Sequence, residues 1–327
     1  MPILKGLIPV PPVVEPVPVR TVVPAPGIYR AVWIAPDGTE LDLNPPASSG
    51  LGGGLFSLKA NAGLGAVPVQ HITTDNPAGG VIVEATRPQE RTVLWPIRMR
   101  ASTHLELLDL WRYVTRLLTQ TRDLGPGRLR ITRPDGSARE ILAYYSSGLE
   151  GEPEDGTWLQ VTAVINFLCP DPFWTATSQV VQEYKEADRP DYLAPYMSVS
   201  SGRVFGASSV PNTGDRAVWP TWTIRGPMTA LTATNVTRDE FFTLTHTLLA
   251  GELLTITGRP IQVRGPADEN LIAALGLTTG GGKPWRLDPR TVTDVTFFLT
   301  GSAPDTTPTS NDGTRVRLSY PLDYETA

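Results

Sequence analysis

Residues 217–264 read AVWPTWTIRGPMTALTATNVTRDEFFTLTHTLLAGELLTITGRPIQVR, and this stretch decides the fold class. Five short β-like runs lie in it, at 217–225, 228–236, 240–249, 253–257 and 261–264, separated by Gly, Pro and Asn at sandwich-like intervals. A short helical turn near 270–275 and further runs at 292–300 and 315–320 extend the pattern toward the C-terminus. Before this stretch, 185–215 is polar and rich in turn residues.

The N-terminal half also reads as short strands. Residues 28–34 lead through Pro36-Asp37-Gly38 into 40–43, a strand, turn and strand, and 129–132 repeats the pattern through Arg133-Pro134-Asp135-Gly136 into 140–145. Further strands are expected at 67–73, 80–85, 91–100 and 158–167. Between 44 and 65, paired prolines and the cluster Gly50, Gly52, Gly53 and Gly54 suit a long loop. One helix is expected, over about 103–121. Thr103 and Glu106 form a capping box, Leu107, Leu110, Trp111, Val114, Leu117 and Leu118 recur at helical spacing, and Gly125-Pro126-Gly127 stops it. Its other face carries Asp109, Arg112, Arg116 and Gln120, either a solvated surface or, in a ring-forming protein, a subunit contact in which Arg112 and Arg116 take part.

The 30 Gly and 32 Pro make up about 19% of 327 residues, against a usual roughly 12%, which disfavours long helices. A hydrophobic content of 40% supports a packed core, and the length suits two domains. We expect a mainly β protein with a Pro-rich arm at 1–26, a first domain at 27–174, a linker at 175–200 and a second domain at 201–327. The arm, whose prolines break any helical signal-peptide core, is either a disordered tail or an extended segment laid on a surface. No apolar run approaches the roughly 18 residues of a membrane span, so no membrane association is expected.

Chemistry-bearing patterns are missing. The net charge is −5 and neither half is basic, which gives no support for a duplex-binding surface. Cys169 is the single cysteine, which excludes an intrachain disulfide and a Cys-based zinc site; between Leu168 and Pro170 it reads as a small buried apolar residue. His71, His104 and His246 are scattered. The acidic run at 150–156 lacks the ligand spacing of a calcium loop. Gly280-Gly281-Gly282-Lys283-Pro284 fails as a phosphate loop, because Leu277 stands where Gly is required and Pro284 where a Ser or Thr is required. We therefore expect no catalytic residues, cofactor or metal, and no enzymatic activity.

Three ordered motifs carry a resemblance: Asn166-Phe-Leu-Cys-Pro-Asp-Pro-Phe-Trp174, then Asn212-Thr-Gly-Asp215 with Trp219-Pro-Thr-Trp-Thr-Ile-Arg-Gly226, then Leu249-Ala-Gly-Glu-Leu-Leu-Thr-Ile256. Together with the single amphipathic helix and the closing Trp285-Arg-Leu-Asp288 and Arg315-Val-Arg-Leu-Ser-Tyr320, they resemble the distal tail (Dit-like, minor tail) proteins of siphoviruses, the long-tailed, non-contractile bacteriophages. The resemblance implies a tail-tube-like β domain followed by a β-sandwich, galectin-like in several members. It also implies a structural virion protein forming a homohexameric ring at the distal end of the tail. Its partners would be other copies of itself, the major tail tube protein, the C-terminal end of the tape-measure protein and the tail-tip hub or baseplate with other minor tail proteins. DNA would pass through an open channel without sequence-specific binding, and assembly would take place in the host cytoplasm.

Within that reading Asp171, Pro172, Phe173 and Trp174 are expected at the domain junction, with Phe173 and Trp174 otherwise ordinary core aromatics. Asn212, Gly214 and Asp215 are expected to form the turn that opens the second domain, Asn and Asp bonding local backbone. Arg outnumbers Lys 24 to 4, which suits multidentate interface pairing and is equally a product of genomic base composition. The alternative function is a carbohydrate- or receptor-binding sandwich with Trp219, Trp222 and Trp285 as stacking platforms; a cell-wall hydrolase is a third reading.

Overall fold

Along Arg91–Arg100, Val93, Trp95, Ile97 and Met99 are fully buried while Thr92, Leu94, Arg98 and Arg100 face outward. That period of two is what a strand with one covered face requires. In the computed structural model, which describes residues 29–45, 54–151, 159–185, 202–276, 284–303 and 313–327, this pattern recurs in two units. One comprises 29–177 with Tyr324–Ala327, the other Ser178–Asp323, and each has its own apolar core. The arm at 1–26, the glycines at 50–53, most of the acidic run and the stretch Gly280–Lys283 lie outside the described residues.

The first unit contains β1 (Arg30–Ile34), β2 (Glu40–Asp42), β3 (Gly54–Ser57), β4 (Val69–Asp75), β5 (Val81–Pro88), β6 (Arg91–Arg100), α1 (His104–Thr119), α2 (Thr121–Leu124), β7 (Gly127–Thr132), β8 (Ala138–Ser147), β9 (Gln160–Cys169) and β10 (Trp174–Ala176). Its main sheet runs β2-β1-β7-β8-β9-β6-β3 in antiparallel register, with β10 beside β8. Trp33 stacks on Phe167 with ring centroids 4.8 Å apart, and both are fully buried. Helix α1 lays Leu107, Val114, Leu117 and Leu118 on this core, each such burial being worth roughly 1.5–3 kcal/mol. Trp33 Nε1 donates to the carbonyl of Leu117 at 3.4 Å, fixing the helix to the sheet. The expected capping box is formed: Glu106 N–H donates to Thr103 Oγ1 at 3.3 Å, and Thr103 N–H to Glu106 Oε2 at 3.2 Å.

Part of the loop expected over 44–65 is instead β3. It pairs with β6 from Gly54↔Arg100 to Ser57↔Ile97, and Leu55 is buried opposite Met99. The strand is made by what its partner offers, since its own sequence, Gly-Leu-Phe-Ser, has little pattern.

The second unit contains β11 (Val180–Lys185), β12 (Gly202–Asn212), β13 (Thr221–Arg225), β14 (Met228–Asn235), β15 (Glu240–Leu248), β16 (Leu253–Gly258), β17 (Ile261–Arg264), a 3-10 turn at Ile272–Ala274, β18 (Leu275–Gly276), β19 (Thr291–Thr300) and β20 (Arg315–Tyr320). Two five-stranded antiparallel sheets, β11-β20-β13-β16-β17 and β12-β19-β14-β15-β18, bury one common core. Trp222 from the first sheet meets Phe242 and Phe297 of the second edge-on, at 5.0 and 5.7 Å between centroids. This is the sandwich read from residues 217–264.

Three boundaries differ from expectation. The linker placed at 175–200 contains β11, which pairs along its whole length with β20 from Val180↔Tyr320 to Lys185↔Arg315. The turn-rich stretch 185–215 contains the longest strand of the unit, β12, held against β19 from Gly202↔Thr300 to Asn212↔Thr291. The last four residues, Tyr324–Ala327, belong to the first unit rather than the second, because main-chain and arginine hydrogen bonds recover them there.

Candidate assembly interface

Strands β4 and β5 pair only with each other. Their turn is closed locally: Gly79 N–H donates to the Asn76 carbonyl at 2.8 Å, and Ala78 N–H to Asn76 Oδ1 at 3.1 Å. Polar cross-strand contacts hold the ribbon, with His71 Nδ1 2.9 Å from Thr86 Oγ1, Gln89 Nε2 donating to Gln70 Oε1 at 2.7 Å, and Thr74 donating to Glu84. Among the described residues, its large apolar side chains other than the half-buried Ile72 are left exposed. Val69, Val81, Ile82 and Val83 are 55%, 59%, 52% and 54% exposed. An isolated two-stranded ribbon is marginal in water, and these four exposed apolar side chains gain little from staying there. Such a ribbon has both edges open and is suited to lie against another chain.

A second apolar surface lies on the main sheet, on the side away from its core. Leu94 of β6 stands opposite Asn166 of β9, between Val164 and Leu168, and all three apolar side chains are exposed. Leu142, also exposed, lies two residues along β8 from Tyr144, which stands opposite Leu168. A head-to-tail contact between copies needs two different faces on each molecule, and this sheet face and the ribbon are two such faces.

The polar face of α1 carries Arg112, 3.6 Å from Asp109 with both side chains exposed, and Arg116, whose guanidinium lies 5.8 Å from the Tyr113 ring centroid. Exposed pairs of this kind contribute roughly 0–1 kcal/mol. Gln120, grouped with that face in the sequence, instead serves the β1–β2 turn: its Nε2 donates to Asp37 Oδ2 at 2.8 Å. Hydrogen bonds from Thr39 and then Gln120 hold the Asp37 carboxyl below its ordinary value.

The proposed junction residues divide. Trp174 opens β10 and is fully buried in the first unit's core, and Pro172 is buried beside it. Asp171 Oδ1 accepts from the Phe173 N–H at 3.3 Å, and Phe173 is half-buried. Asn212, Gly214 and Asp215 do not open the second unit, because β11 and β12 precede them; they join β12 to β13. Asn212 is buried, donates from Nδ2 to the carbonyls of Arg216 and Leu287 at 3.0 and 3.1 Å, and accepts from Gly214 N–H at 3.0 Å. A Cβ at Gly214 would lie 2.7 Å from the Asp323 carbonyl. Asp215 Oδ1 accepts from Nε and Nη2 of Arg290 at 2.9 and 2.8 Å.

The tryptophan platforms are corrected. Trp222 is fully buried, Trp285 is 2% exposed and packs edge-on against it at 4.8 Å, and Arg259 lies over the Trp219 ring at 4.9 Å. A sugar has no free face on Trp222 or Trp285 because the sandwich core uses both. Cys169 is buried as read from its neighbours, and burial pushes its thiol up to about 12. Among the described residues no group of three or more His, Cys, Asp or Glu is placed to hold a metal, and no helix is long and apolar enough to cross a membrane. The exposed ribbon was not anticipated. The sequence places strands near 67–73 and 80–85, but their composition does not tell that their apolar side chains are mostly exposed.

No protein-family model matches the chain, and no curated protein matches it. Among solved structures, the fold is similar to the crystal structure of the Dit protein (gp 19.1) of phage SPP1, described as a paradigm of the hub adsorption apparatus in phages that infect Gram-positive bacteria. The TM-score is 0.58 at 14% identity, over 90% of this chain and 99% of that one. A structure of the phage P2 baseplate in its activated conformation with Ca also matches, with a TM-score of 0.44 at 8% identity, over 84% of this chain and 99% of that one. The resemblance read from the ordered motifs is thus met at the level of the fold, which is Dit-like over nine-tenths of the chain.

Proposed function

We propose that the protein is a structural component of a siphovirus tail tip. Copies would close into a hexameric ring at the distal end of the tail, joining the tail tube and the end of the tape-measure protein to the hub. The likeness to SPP1 Dit supports the tail-tip assignment. The observation that carries self-assembly is the β4–β5 ribbon with four apolar side chains more than half exposed. In a ring, the ribbon of one copy lies on the sheet face or edge of the next, and the repeated head-to-tail contact closes after six copies. The protein acts by shape and lowers no reaction barrier. A net charge of −5 suits a channel that DNA traverses, since dense phosphate contacts would hold the strand.

The test is the native mass of the purified protein over a concentration series, with the composition of purified virions measured alongside. Six copies per particle and presence in the virion are expected. A strict monomer at micromolar concentration, absent from virions, overturns the proposal. A stacking-platform sugar site on Trp222 or Trp285 is not favoured, because both rings lie in the core.

A further inference from the structure

The chain's last four described residues lie in a cradle of arginines. Arg91, at the start of β6, is 1% exposed. Its Nη1 donates to the carbonyls of Gly63 and Gly65, both at 2.7 Å, and its Nη2 to the carbonyl of Glu325 at 2.7 Å. Arg133 Nε donates to the main-chain oxygen of Ala327 at 2.9 Å, and Arg139 Nη1 to the carbonyl of Thr326 at 2.5 Å. The Arg139 guanidinium also stacks on the Tyr324 ring, 3.6 Å from its centroid, and Ala327 N–H donates to the Leu64 carbonyl at 3.0 Å. Three consecutive carbonyls are therefore each read by a different guanidinium. The one side chain recognised through its ring is Tyr324.

We propose that Arg91, Arg133 and Arg139 form a binding site for an extended peptide backbone, one that holds Tyr324–Ala327 reversibly and binds the same four residues supplied as a separate peptide. The chemistry favours occupancy. A guanidinium buried as fully as that of Arg91 requires acceptors, and withdrawing Glu325 leaves one of its N–H groups without its protein partner. Burial holds this guanidinium below its ordinary value, and each accepting carbonyl offsets part of that penalty by stabilising the charged form. Contacts to three main-chain oxygens, with the Tyr324 ring and Thr326 Oγ1, which lies 3.3 Å from both Arg133 and Arg139, as the side-chain contacts, make the site a reader of extended backbone with a preference at two positions. Ser178–Asp323 is inserted between the two parts of the first unit's chain, so an occupied site fastens the inserted unit's second end. This inference does not rest on the proposed ring.

Amide hydrogen exchange on the full chain is the first test. In the wild-type protein the C-terminal peptide exchanges more slowly than a free peptide. Arg133→Ala with Arg139→Ala speeds it at least tenfold and leaves peptides from β6 and β9 unchanged. Free-peptide exchange in the wild type, or an unchanged rate in the double variant, overturns the proposal. The second test is calorimetric titration of acetyl-Tyr-Glu-Thr-Ala into a chain ending at Asp323. One-to-one saturable binding is expected, absent from the full chain and weakened at least tenfold by Arg139→Gln. A shortened chain that melts like the wild type and binds nothing at millimolar peptide overturns it. If shortening prevents folding, the exchange result on the full chain decides alone.

Discussion

Replacing Val81, Ile82 and Val83 by Thr in one protein removes the apolar surface of the β5 strand while keeping β-branched side chains that favour an extended backbone. Each of these residues is exposed by more than half in the isolated chain. Covering the rest of a Val or Ile is worth about half of the roughly 1.5–3 kcal/mol that full burial gives, or about 1 kcal/mol each. Thr keeps one methyl and adds a hydroxyl that must be desolvated, so each substitution forfeits about that 1 kcal/mol, and the three together weaken one contact by about 3 kcal/mol, roughly 150-fold. A closed ring of six copies has six such contacts for five association steps, so the midpoint of assembly shifts by somewhat more than that factor. Sedimentation or mass photometry across the concentration range reads the shift. Thermal melting controls for the fold and is expected to move by no more than the ~0.5 kcal/mol of an ordinary surface change. A variant that melts like the wild type and assembles at the same concentration refutes the assignment of the ribbon to the contact.

Trp285→Ala is expected to destabilise the second unit by about 3–5 kcal/mol in urea unfolding, because it empties a site against Trp222; a soluble variant of unchanged stability would contradict the packing. Gly148→Ala should cost at least about 2 kcal/mol, since its φ is +121° and a Cβ would sit 1.8 Å from the Val164 carbonyl; a neutral melting curve would show that this turn relaxes freely. Cys169, buried and with its thiol raised to about 12, should resist a disulfide reagent at pH 8 until the first unit unfolds, whereas immediate reaction would mean that the site is open.

Elements whose signals are local were legible in the sequence. The Thr103–Glu106 box and the 3.6-residue spacing gave α1, Pro134-Asp135-Gly136 gave the β7–β8 hairpin, and the runs within 217–264 gave β13 to β17. Elements made by a distant partner were not. Strand β12 reads Gly-Arg-Val-Phe-Gly-Ala-Ser-Ser-Val-Pro-Asn and is a strand because β19 pairs with it some ninety residues later. Strand β3 depends on β6 in the same way. Burial was the second hidden quantity. Trp222 and Val81 both stand in apolar strand-like runs, yet the first is enclosed by a facing sheet and the second is 59% exposed. The return of Tyr324–Ala327 was hidden because most of the recognised groups are main-chain oxygens, which every residue carries.

Shape-based closure of copies is the claim on which the functional account stands, and averaged electron-microscope images of the purified protein at assembling concentration test it most directly. A closed annulus of six copies around an open channel is the predicted view. Single two-unit particles at every concentration would contradict the account.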